Sequence, residues 1–187
     1  QQAYGENDIM LFKINKSGAI EGSVYQFGSI NNDLPVSVKI KNDIIYIAGE
    51  TYGDISGETV TASPAGFLLK LDLSFNLLSI KQFKSDDIST NVTDMVIGSD
   101  NSIYIAGYER GNWNSQTNSG MSDVYIAKFD DTFTLQNVKL MGNSNYDYSY
   151  GLATDSSNNL HLIYSSNNGM ENNTAYNIYD SNLTFLK

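Results

Sequence analysis

The string I-Y-I-A-G occurs twice, in DIIYIAGETYG (residues 43–53) and in SIYIAGYERG (residues 102–111). Ile45, Tyr46, Ile47, Ala48 and Gly49 align with Ile103, Tyr104, Ile105, Ala106 and Gly107 at a shift of 58 residues, and LHLIY (residues 160–164) follows at a further 57. A polar turn precedes each copy: Lys41-Asn42-Asp43, then Ser99-Asp100-Asn101, then Asp155 to Asn159. Upstream of each turn lies another alternating run, VSVKI from Val36, TDMVI from Thr93 and YGLAT from Tyr150. Apolar alternation with period two marks strands, and Asn, Asp, Gly and Ser between two such runs mark a hairpin. These paired strands are termed A and B.

A second hairpin recurs out of phase with the first. DIMLFKINKSGAI (8–20), GFLLKLDLSFNLL (66–78), DVYIAKFDDTFTL (123–135) and TAYNIYDSNLTF (174–185) share the alternation and turn at Asn15, Asp72, Asp130 and Asp180. The strands that follow the first three turns are EGSVYQFG, LSIKQFK and QNVKLMG. With these as C and D, the chain reads C-D, A-B-C-D, A-B-C-D, A-B-C and a stub of D. No stretch has sustained helical periodicity with caps, so the expected class is all-β. Four antiparallel strands per repeating unit is the pattern of a β-propeller blade. A sandwich gives no reason for a five-residue string to return at a fixed shift. The expected units are a C-D half blade (1–32) and three blades (33–90, 91–146 and 147–187), the last with a short final strand. The leading C-D pair lacks an A-B partner, and unpaired sheet edges invite pairing. The chain is therefore expected to be a segment of a larger propeller, or to pair with further blades or another chain at its open edges.

Residues 123–166, from DVYIAKFD through LMGNSNYDYSYGLATDSSNNLHLIYSS, resemble the bacterial seven-bladed propeller repeat known as the SBBP repeat. Its pattern runs D-x-F-V-A-K-L-D, then G-G-x-x-x-D-x-G, then A-V-D-S-x-G-N-I-Y-V-x-G. Asp123, Ala127, Lys128, Asp130, Gly142, Asp147, Asp155, Asn158 and Asn159 fall on matching positions. The other units match less closely, and LHLIY replaces the I-Y-V-x-G ending. NHL-type propeller repeats are a weaker similarity. The resemblance implies a propeller in an extracellular or cell-envelope setting, with no single activity and no fixed catalytic residues.

Composition narrows the partners. Twenty-one Asp and Glu against 11 Lys and Arg leave a net charge of -10, which repels a phosphate backbone, so nucleic acid is not an expected partner. No apolar stretch reaches spanning length, so no membrane insertion is expected. Cysteine is absent, which removes thiol catalysis and thiolate metal sites. A 41% hydrophobic share with 13 Tyr and 8 Phe supplies a packed core rather than disorder. The chain opens on Gln1-Gln2-Ala3 with no initiator Met or signal peptide, and reads as processed or excised from something longer.

Several residue groups are candidates for chemistry. Asn42, Asp43, Asp100, Asn101, Asp155 and Asn158 lie at A–B turns, where Asx side chains cap local backbone; no calcium-loop motif accompanies them, and neither a metal nor a cofactor is expected. Glu50, Asp54, Glu58, Asp86, Asp87, Glu109 and Asp147 could supply a glycosidase pair only if two of them converge. His161 takes the slot of Tyr46 and Tyr104 and is expected to pack on a blade face. Sequons occur at Asn15, Asn91, Asn172 and Asn182. The B–C loops, GETYGDISGETVTASPAG, GYERGNWNSQTNSGMSD and YSSNNGMENNTAY, are the most individual part and emerge on one rim. There Tyr52, Tyr108, Arg110, Trp113 and Asn114 offer aromatic faces, amide and guanidinium groups for a protein or glycan; the alternative is a solvated loop with Trp113 tucked over a blade edge. The expected function is a non-enzymatic extracellular interaction or scaffold module that binds through these rim loops. A lectin-like propeller and a glycoside hydrolase with two rim carboxylates are the alternatives.

Overall fold

A computed structural model describes residues 5–55, 57, 64–86, 89–167, 169 and 172–187. Among them are thirteen antiparallel strands and no helix. β1 (Ile9–Ile14) and β2 (Ile20–Phe27) form a two-stranded sheet. β3 (Asp33–Lys41), β4 (Ile44–Thr51), β5 (Ala65–Asp72) and β6 (Leu77–Phe83) form a blade in sequence order. β7 (Thr90–Ile97), β8 (Ile103–Glu109), β9 (Asp123–Phe129) and β10 (Leu135–Met141) repeat it. β11 (Asp147–Thr154), β12 (Leu160–Asn167) and β13 (Asn172–Tyr179) form the last sheet. Residues 183–187 begin its fourth strand: Tyr179 bridges Phe185, and Leu186 N–H donates to the Ile178 carbonyl at 2.8 Å. The propeller-blade architecture expected from the repeat is present.

The repeated string is apolar without a break because its strand is covered on both sides. Alternate side chains of a strand face opposite ways. Tyr46 and Ala48 of β4 enter a core shared with the second blade, whereas Ile45 and Ile47 enter a core shared with the half blade. In β8 and β9, Ile103, Ile105, Tyr125, Ala127 and Phe129 face one way, and Tyr104, Ala106, Val124 and Ile126 face the last blade. Each unit thus hides its apolar face only by stacking on its neighbour. The innermost strands β3, β7 and β11 are tied through Asp94, which accepts from Ser37 Oγ at 3.1 Å and Leu152 N–H at 3.1 Å and lies 3.9 Å from Lys39 Nζ.

The turns carry their own chemistry. Asn15, Asp72, Asp130, Asp155 and Asp180 each use one Oδ to accept the N–H groups two and four residues on, at 2.8–3.0 Å. The position three residues on takes positive φ, and at Phe75, Phe133 and Leu183 it drives a large side chain into an interblade core.

The glycine that ends I-Y-I-A-G answers to a bulge. Each first strand carries an extra residue opposite the B strand: register shifts fall between Pro35 and Ser37, Val92 and Asp94, and Ser149 and Gly151. Gly49 and Gly107 face these bulges and pair on their other side with Phe67 and Tyr125. A Cβ on Gly107 would stand 1.9 Å from Asn91 O and 2.5 Å from the Tyr125 ring. In the last blade Tyr164 replaces the glycine, and its neighbour on β13 is Ala175. The bulk changes sides and the pair remains.

Beside the half blade the packing is incomplete. Met10, Phe12, Ile14, Val36, Val38 and Ile40 are exposed, and an apolar groove of about 470 Å³ runs between β1 and β3. In the other units an A–B pair occupies the corresponding side of strand C; β1 pairs with no described strand there.

Candidate functional site

Strand β8 ends at Tyr108 and Glu109, and the loop that follows is organised by Glu109. Its buried carboxylate accepts the Gly111 N–H at 2.5 Å and Asn118 Nδ2 at 3.5 Å. Burial raises its pKa to about 6, against those hydrogen bonds. Within the loop, Trp113 and Gln116 exchange backbone hydrogen bonds at 3.0 and 2.9 Å. Asn114 and Ser115 between them both have positive φ, the signature of a type I′ hairpin. Gln116 then docks on the edge of β10, accepting the Leu140 N–H at 2.9 Å and donating to the Val138 carbonyl.

That docking turns Trp113 inward. The indole is 5% exposed, stacked on Phe83 at 6.0 Å and edge-on to Tyr125 at 5.0 Å. The expectation that Trp113 offers a binding face is therefore corrected: it is a core residue closing the gap between two blades. Asn114 stays exposed, with its backbone committed to the turn.

The remaining candidates do assemble. Tyr108 is half-buried, with its ring edge-on to Tyr148 at 4.8 Å, and Tyr148 stacks on Tyr146 at 6.0 Å and 4°. The Tyr108 phenol is pushed up in pKa by burial first, then by Glu50 and Tyr148, while Arg110 opposes this and Tyr52 adds to it. Tyr52, at 39% exposure, and the exposed Arg110 are thus near enough to act on the charge of that phenol. Glu50 itself accepts the Val92 N–H at 2.9 Å and Asn91 Nδ2 at 3.3 Å; burial raises its pKa. Tyr146 and Tyr148 were missed because they lie at the start of the last blade's first strand and not in a B–C loop. Their signal is the alternation of tyrosine in NYDYSY (145–150), which puts Tyr146, Tyr148 and Tyr150 on one face.

The candidate carboxylates are spread between core and surface among the described residues. Glu109 and Asp147 are fully buried, Asp54 and Asp86 are exposed, and Glu58 and Asp87 lie outside the described residues. Also outside them are residues 56 and 58–63 of the first B–C loop and residues 168, 170 and 171 of the third. His161 contacts Tyr176 Oη at 2.5 Å and Asp155 Oδ2 at 3.3 Å. Of the sequons, Asn91 is engaged with Glu50, Asn15 caps its turn, Asn182 is exposed, and the Asn172 side chain lies outside the described residues.

No protein family and no curated protein matches the sequence. Among solved structures, the chain is similar to one described as "Glycoside hydrolase", at 12% identity and a TM-score of 0.36, over 82% of this chain and 47% of that one. The chain thus spans about half the length of that protein.

Proposed function

We propose that the chain is a non-catalytic binding segment of an SBBP-like β-propeller, which holds a protein partner on the rim formed by Tyr52, Tyr108, Arg110, Tyr146 and Tyr148. The observation that carries this reading is the edge-on and stacked set Tyr108, Tyr148 and Tyr146, with Arg110 beside it. Tyrosine and arginine dominate interface energetics because they offer large rigid area, and each ends in a hydrogen-bonding group. An extracellular or cell-envelope setting belongs to the same proposal and rests on the SBBP-type resemblance. Screening the chain against a peptide-display library and a glycan array tests the rim. Peptide binders are expected to lose at least tenfold, about 1.4 kcal/mol, on Tyr108→Ala or Arg110→Ala, and to bind Trp113→Phe unchanged. Glycan binders that lose as much would move the assignment to a lectin. Binding indifferent to both rim changes would remove the rim as the site.

The apolar groove beside β1 belongs to the same proposal, as the seat of an A–B hairpin from further blades or another chain. Met10, Phe12, Val36 and Val38 match, in place and character, surfaces that such hairpins cover in the other units. Light scattering of the 187-residue chain is expected to show concentration-dependent association, abolished by Met10→Lys with Val38→Lys. A compact, aggregation-free monomer at all concentrations would contradict it.

A further inference from the structure

The last blade breaks the repeat at four facing positions. In the two complete blades a tyrosine of strand B pairs across the sheet with a lysine of strand C, Tyr46 with Lys70 and Tyr104 with Lys128. The lysine lies over the ring at 5.6 and 5.5 Å. Its Nζ donates to the carbonyl of Asp131 or Ser181 in the next unit, at 3.0 and 2.8 Å. Two residues along, Ala48 faces Leu68 and Ala106 faces Ile126, all of them buried. In the last blade the pairs are His161 with Ile178 and Ile163 with Tyr176. The lysine that grips a following unit is replaced, and Tyr176 is 55% exposed.

The replacements form one hydrogen-bonded chain. His161 Nδ1 meets Tyr176 Oη at 2.5 Å, and Nε2 meets Asp155 Oδ2 at 3.3 Å. Asp155 stands where the second blade has Gly98: each accepts the N–H three residues on and donates to the carbonyl four residues on. Hydrogen bonds, those from Asn159 foremost, hold the Asp155 carboxyl at a pKa of about 2, so at neutral pH it only accepts. His161 Nε2 therefore carries the proton. In the neutral ring Nδ1 is then bare, and the Tyr176 hydroxyl donates to it. A nucleophile, a base within hydrogen-bond reach and a group that orients the base stand in the order that activates a hydroxyl. The three border an open cleft of about 480 Å³, with Asp94, Leu152, Thr154 and Ile163 among its other walls. That lining has two carboxylates and no lysine or arginine, which favours a neutral electrophile over an anionic one.

We propose that Tyr176 is an activated phenol that takes an acyl group from a neutral activated ester or acylimidazole in this cleft, with His161 as its base and Asp155 as a positioning residue. The bond from Tyr176 Oη to the acyl carbon forms as the bond from that carbon to the leaving group breaks. The phenol proton passes to His161 Nδ1 and from there to the leaving group, so the step balances with no further reactant. An ordinary phenol keeps its proton at neutral pH and reacts slowly, so a base already in contact is what sets Tyr176 apart. The product is an acyl-tyrosine in the last blade. It goes beyond the rim reading and does not depend on Tyr108 or Arg110.

Treating the full chain with N-acetylimidazole at neutral pH and mapping the products by mass spectrometry reads each tyrosine separately. Tyr150 is the internal reference: it is 63% exposed, and its hydroxyl meets Ser165 Oγ at 3.2 Å instead of a base. Tyr176 is expected to acetylate at least about fivefold faster than Tyr150, short of what an enclosed base gives because this site is open to water. His161→Gln can hydrogen-bond the phenol but takes no proton, and is expected to remove that excess. His161→Tyr installs the residue found at Tyr46 and Tyr104, and is expected to do the same in a folded chain. His161 is the only histidine, so NMR of the isotope-labelled imidazole reads its tautomer directly. The Nε2–H form is expected. Asp155→Asn, which keeps an oxygen for the turn, is expected to lose that preference together with part of the acetylation rate. An Nδ1–H tautomer in the parent chain would overturn the proposal, since the ring would then donate to Tyr176. Equal rates at Tyr176 and Tyr150 would do so too, as would an excess that survives His161→Gln.

Discussion

Replacing Gly107 by alanine is expected to destabilise the protein by about 3 kcal/mol or more, at the upper end of overpacking costs. The added methyl has nowhere to go. It meets the Asn91 carbonyl at 1.9 Å and the Tyr125 ring and hydroxyl at 2.5 Å, and Tyr125 cannot swing away cheaply because Oη donates to that same carbonyl at 3.0 Å. Tyr125 is also fully buried, within the core that joins the two complete blades. For a chain of this size the melting temperature should fall by roughly 10 °C. The arrangement in the last blade, Tyr164 beside Ala175, points to a double-mutant cycle. Tyr125→Ala removes the ring that the methyl strikes, so Gly107→Ala with Tyr125→Ala should cost clearly less than the sum of the two single changes. A Gly107→Ala variant within 1 kcal/mol of the parent, on the scale of ordinary substitutions, would refute this account of the repeated glycine.

Trp113→Ala is expected to cost about 3–5 kcal/mol, the loss typical of a buried tryptophan truncated in a core. The indole lies between Phe83 of one blade and Tyr125 of the next, so the cavity opens at the seam on which both blades depend. Chemical denaturation of Trp113→Ala and Trp113→Phe measures the loss, with phenylalanine recovering part of it. Because Trp113 is the only tryptophan, its fluorescence in the folded chain should resist iodide quenching and regain sensitivity on unfolding. Quenching as free in the native state as in the unfolded one would mean that the indole is presented to solvent after all. The same burial explains why tryptophan emission is a poor reporter of a ligand on the rim; a tyrosine-based or label-free readout is needed there.

Much of the fold was legible in advance. The recurrence of I-Y-I-A-G, the out-of-phase hairpin and the Asx turns sufficed for four-stranded units in the order observed. Each of these signals is local. Strand alternation is written in consecutive residues, and an Asx side chain caps the turn in which it sits. The candidate site was legible only in part. Tyr52, Tyr108 and Arg110 emerged because their loops belong to one class, and loops of one class share a rim. Trp113 sits in the same loop, yet its direction depends on Asn114 and Ser115 taking positive φ and on Gln116 reaching the β10 edge. Neither event has a signature in the spacing of aromatic residues.

By itself, the sequence determined an all-β chain of repeating four-stranded units, because period-two patterning and turn chemistry act over a few residues. Only the tertiary structure decided which side chains meet across units: Tyr108 with Tyr148, and Trp113 with Phe83. Those meetings depend on how one sheet stacks on the next, which is settled by packing between residues tens of positions apart.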